Sequence, residues 1–90
     1  MGDNETVGTT AVLIYTASDR ATASEPENVT IQNLHDSAHV TVGGSDVADE
    51  ENGIVLDAQY DAISVPLRSP GTQVYAISDT ASTTISITRA

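Results

Sequence analysis

"NVTIQNLHDSAHVTVGG", residues 28–44, holds two short runs in which every second residue is aliphatic. Val29 and Ile31 alternate with Thr30 and Gln32, and Val40 and Val42 flank Thr41. A period of two marks a strand with one buried face, because successive side chains on a pleated backbone point to opposite sides. The residues between the runs, 33–38, are turn-formers. The rhythm returns in Ile63, Val65 and Leu67, and again in Ile85 and Ile87 set against Thr84, Ser86 and Thr88. Segments rich in Gly, Pro, Asn, Asp and Ser separate these runs: 43–46, 50–53, 68–72 and 78–82. Val, Ile and Thr supply 28 of the 90 residues, a composition suited to half-buried pleated surfaces. The pattern predicts an all-β fold: a small single-domain antiparallel β-sandwich, or a barrel-like fold, of about seven short strands.

Some segments depart from the rhythm. "TTAVLIYT", residues 9–16, is continuously apolar in its middle. That predicts a central strand, or a strand whose second face meets another chain, and it makes Val12, Leu13, Ile14 and Tyr15 the candidate assembly interface. Residues 16–28 are small, polar and stopped by a proline, and read as a long loop. Pro66 lacks the amide that a central ladder uses, so its run belongs at an edge or a bulge. Residues 1–8 offer little to bury and read as a flexible arm ahead of a β-domain at 9–90. Gly43, Gly44, Asn52 and Gly53 are the candidate structural turn residues, the paired glycines supplying positive φ at a strand end or a bulge.

The composition limits what the chain can do. Ninety residues form one domain that buries only about 60% of the surface of its unfolded form. There is no Phe, Trp or Cys, and three tyrosines supply all the large aromatic area. A chain so short of core and staples is one that gains burial from neighbours. Thirteen acids face three basic residues, Arg20, Arg68 and Arg89, for a net charge of −10. Phosphate backbones and anionic lipid would repel it, so nucleic acid and membrane are not expected partners. No stretch approaches the roughly 20 apolar residues of a membrane span. The opening "MGDNETVGTT" is polar and acidic where a secretory signal is apolar, and reads as the start of a complete small product.

The motifs of site chemistry are incomplete. A phosphate loop sets a lysine after its glycines, whereas Gly43-Gly44 is followed by acids. The acids Asp46, Asp49, Glu50 and Glu51 suggest calcium. Counted from Asp46, however, the sixth position is Glu51 and the twelfth Asp57, where a helix–loop–helix calcium site needs Gly and Glu. His35 and His39 have the four-residue spacing of a helical zinc pair, but lie across a turn and a strand with no cysteine to join them. No Gly-x-Ser-x-Gly nucleophile elbow occurs. The expectation is a non-enzyme without metal or cofactor.

From residue 28 onward the order of features resembles a recurrent pattern in small structural proteins of tailed bacteriophages, among them head-decoration proteins and head- or tail-fibre modules. The matching stretches are 29–33, a strand ending in Asn; 40–47, a strand entering Gly-Gly-Ser-Asp-Val; Asn52-Gly53; Leu56; the aliphatic strand 63–67; Tyr-Ala-Ile-Ser at 75–78; and the alternating 85–87. Ala58-Gln59 stands where the pattern has Ala-Gly. The resemblance implies a β-sandwich on the outer capsid surface of a virion. There it would bind the major capsid protein as a homo-trimer at three-fold or quasi-three-fold positions and cement neighbouring capsomers. The alternatives are a fibre or tail binding module, and an Ig-like adhesin-type domain.

Overall fold

The two runs of the opening stretch become β3 (Glu27–Asn33) and β4 (Val40–Ala48) in a computed structural model that describes residues 2–48 and 51–89. Before them come β1 (Gly2–Val7) and β2 (Val12–Thr16). After them come β5 (Glu51–Leu56), β6 (Ala62–Leu67), β7 (Gln73–Ser78) and β8 (Thr83–Arg89). Every pairing is antiparallel, in two four-stranded sheets ordered β1-β8-β3-β6 and β2-β7-β4-β5.

Four of those pairings are nested: β4 with β5, β3 with β6, β2 with β7 and β1 with β8. The strands thus follow one long hairpin, whose innermost pair is Ala48↔Glu51, rolled so that β8 also meets β3 and β7 also meets β4. That strand order is the eight-stranded jelly roll. The expected sandwich is present, with eight strands among the described residues rather than about seven.

The additional strand is β1. The arm expected at 1–8 instead pairs along its length with β8, from Gly2↔Thr88 to Val7↔Thr83, and the Val7 side chain is fully buried. Its sequence hid it: Gly-Asp-Asn-Glu-Thr-Val carries a single aliphatic residue, and sheet pairing rather than alternation defines it. The loop expected at 16–28 is confined to 17–26 and is packed, not loose. Ala17 and Ala21 are buried in the core, and Ala17 exchanges backbone bonds with Thr72 and Gly71. Pro66 lies on β6, an outer strand, as its missing amide requires.

Period two sorts the residues cleanly. Val29, Ile31, Ile85 and Ile87 face inward from one sheet and meet Val40, Val42, Leu56 and Ala76 of the other. On the far side of the first sheet, Thr30, Gln32, Ser64, Ser86 and Thr88 form a polar, largely hydroxyl-bearing face. In the turn between β5 and β6, Tyr60 takes φ 72° beside the Ala58-Gln59 departure from the phage pattern, and its amide donates to the Asn33 carbonyl at 2.6 Å.

Candidate functional site

The second sheet has a different outer face. Leu13 lies opposite Tyr75, and Ile77 opposite Thr41, which is opposite Val55. Leu13, Tyr75, Ile77 and Val55 are aliphatic or aromatic, while Thr41 between them carries a hydroxyl. Thr41 and Ile77 are buried, so the open part of this face is Leu13 with the half-buried Tyr75 and Val55. Leu13 is 42% exposed and Val12 39%, and both sit on β2, an outer strand with one unpaired backbone edge.

The four candidate interface residues do not act as a block. The register slips by one between Leu13 and Tyr15, leaving Ile14 as a bulge. Ile14 and Tyr15 both pack against the core, while Val12 and Leu13 remain open. The continuous apolar run therefore has a local cause. A bulge turns two adjacent residues onto the core, and the two before them are left uncovered on an edge strand.

Tyr15 also leads to a polar cluster that sequence reasoning did not single out. Its hydroxyl donates to Glu27 Oε1 at 2.7 Å; the Ser18 amide donates to the same oxygen at 3.0 Å, and the Ser18 hydroxyl to Oε2 at 2.6 Å. Arg89 Nη1 stands 4.0 Å from Oε2. The Glu27 side chain is only 10% exposed, because Glu27 opens the inward row that continues through Val29, Ile31 and Asn33. An acid in phase with the core-facing residues was the available signal.

The three hydrogen bonds hold the Glu27 carboxyl down at about 2, the Ser18 hydroxyl contributing most. Burial, then the bond to Glu27, pushes the Tyr15 phenol up. So strongly favoured a carboxylate is a poor general base at neutral pH, and its bonds tie the 17–26 loop to the sandwich. Because its folded value lies below the ordinary 4.5, the stabilisation is present above that value and is lost as pH falls towards 2. Chemical denaturation should find wild type more stable than Glu27→Gln at about pH 6, with the gap closing by about pH 2.5. A constant gap across that range would show that the charge is not what holds the loop.

Of the two roles expected of Gly43 and Gly44, positive φ or a bulge, the register shows the bulge. Gly43 and Gly44 have no positive φ; the left-handed residue there is Asn52, at φ 60°. Gly43 pairs with Gly53 and Ala48 with Glu51, so residues 44–47 bulge against Asn52 alone. The Asn52 side-chain amide donates to the Asp46 carbonyl at 3.1 Å and fastens that bulge. What Gly43 and Gly53 supply is close backbone approach: a Gly43 Cβ would stand 2.6 Å from the Asn52 carbonyl oxygen, and a Gly53 Cβ would collide with that of Val42. Of the acids read against calcium, Asp49 and Glu50 lie outside the described residues.

The histidines are structural groups. His35 Nδ1 accepts the amides of Ser37 and Ala38 at 3.1 and 3.0 Å and lies 3.5 Å from Asp36 Oδ1. The His39 amide donates to Asp79 Oδ1 at 3.0 Å, and its ring nitrogen lies 3.6 Å from Oδ2. That amide bond, with one from the Thr80 hydroxyl, draws the Asp79 carboxyl below the usual range. Among the described residues no three His, Asp or Glu side chains converge to hold a metal ion.

No family model and no curated protein matches the chain. Among solved structures, a protein of Bacillus endospore appendages, described as a novel family of disulfide-linked pili, is 17% identical to it. The superposition has a TM-score of 0.49 and covers 99% of this chain and 81% of that one. A likeness at that level identifies no function.

Proposed function

We propose that this chain is a non-enzymatic structural protein of a tailed bacteriophage. It docks on the outer capsid surface through the outer face and free edge of the β2-β7-β4-β5 sheet, against the major capsid protein, as a trimer at three-fold or quasi-three-fold positions. The observation that carries this reading is the contrast between the two outer faces: hydroxyls on one sheet, and Leu13, Tyr75 and Val55 on the other beside an unpaired strand edge. Apolar residues gathered on one face are what a protein-binding surface requires. The ordered resemblance of residues 28–87 to phage structural proteins supplies the setting. The net charge of −10 suits a position outside the shell, away from packaged nucleic acid.

Leu13→Lys sets a charge on the outward face at a residue outside the core, whereas Val12, opposite Ala76, lies in the inward row. Occupancy on undecorated heads is expected to fall at least about tenfold, as the loss of an anchoring aliphatic demands. Thr30→Lys, on the hydroxyl face, should bind as wild type does. Equal loss in both variants, or in neither, overturns the assignment of this face.

A further inference from the structure

On the opposite side of the roll the sandwich is unfinished. Ile54 pairs with Val42 and so belongs to the inner face of its sheet, yet it is 53% exposed. Across the gap, Ile63 and Val65 of β6 also face inward and are only half-buried. Between them runs an open cleft of about 460 Å³, floored by Val42, Leu67 and Val74, with no charged residue among those that line it.

The two strands that border the cleft, β5 and β6, are both outer strands, so each presents unpaired backbone groups along it. Folded proteins guard such edges with prolines, bulges or charges. β6 carries Pro66 and β2 carries the bulge at Ile14. Over residues 53–56, Gly-Ile-Val-Leu, β5 has none of these.

We infer that β5 accepts an extended segment of another protein as a fifth strand of its sheet, placing alternate aliphatic side chains of that segment against Ile54, Ile63 and Val65. Main-chain pairing supplies the affinity in such an addition, and the pocketed alternate side chains supply the selectivity. The ends of the cleft define the charge of the partner. Asp46 lies beside Gly44 at one end, with Glu51 opening β5, while Asp57 and Asp61 flank the other end where β5 leaves and β6 begins. Arg68, just past β6, is turned to the Ala23 carbonyl at 3.0 Å. The segment is therefore basic at its polar positions. A second copy, at net charge −10, is the wrong occupant. This inference concerns the β5 side and holds whatever the β2 face docks to.

The test is titration of the isotope-labelled chain with a short synthetic peptide alternating isoleucine with lysine, and with its glutamate counterpart. The lysine peptide should shift β5 and β6 resonances and slow exchange of β5 amides. The glutamate peptide, and the lysine peptide against Ile54→Lys, should each bind at least about tenfold more weakly. Ile54→Thr, which keeps a β-branched strand residue, guards against a folding artefact and should weaken binding less. Equal binding of both peptides, shifts confined to β2, or shifts without amide protection, as for a small apolar ligand, would overturn the inference.

Discussion

Replacing Gly53 by alanine is expected to destabilise the domain by about 3 kcal/mol or more, the upper range for forcing extra volume into a packed site. The added methyl would fall on the Val42 carbonyl, with Thr41 Cγ2 at 3.1 Å, and backbone has no rotamer in which to retreat. Gly43→Ala meets the same obstacle from the facing strand, against the Asn52 carbonyl oxygen at 2.6 Å. Gly44→Ala is the internal control. Its Cβ would touch only Asp46 Oδ1 at an ordinary 3.6 Å, so the change should stay within about 0.5 kcal/mol. A domain of this size has between about 5 and 13 kcal/mol in all, so the first two substitutions consume a large share. Urea midpoints of the three variants would decide it, and three equal values would refute a close-approach role for the Gly43–Gly53 pair.

Asn33→Ala is expected to cost about 4 kcal/mol. Asn33 is fully buried at the inward end of β3. Its side-chain amide donates to the carbonyls of Ala38 at 2.8 Å and Leu56 at 3.2 Å, and its oxygen accepts the His35 amide at 2.9 Å. Truncation strands three backbone groups in or beside the core, each at about 1–3 kcal/mol when left unpaired. One side chain thus joins β3, the 34–39 turn and the end of β5. Asn33→Asp keeps the acceptor but turns a carboxylate on two carbonyls, and should be at least as damaging at neutral pH. Thermal unfolding within a few degrees of wild type for both variants would show that water takes over these bonds.

Most of the fold was legible because it depends on period two. β3, β4, β6 and β8 follow directly from their alternating Val and Ile. β1 could not be read that way, since partnership with β8 holds it and local pattern does not. The apolar run at 11–15 was visible, but the bulge that divides it into two core residues and two exposed ones was not, because a register slip is settled by the facing strand. Glu27 and Asn33 are in phase with Val29 and Ile31, so their burial was implicit in the sequence. Of their partners, Ser18 and Ala38 lie in adjoining turns whose conformation the local pattern does not specify, and Leu56 comes from β5, which only the rolled hairpin brings beside Asn33. The glycines were read for torsion or a bulge; the carbonyl oxygens pressing on Gly43 and Gly53 belong to the facing strand and leave no mark in the local sequence.

Whether this sandwich decorates a capsid, as proposed, is decided by co-sedimentation with undecorated heads of a tailed phage, scored as copies bound per shell. The expected result is saturation at a fixed copy number matching the three-fold positions of the lattice. Monodisperse, folded protein that remains in the supernatant at every concentration would contradict it.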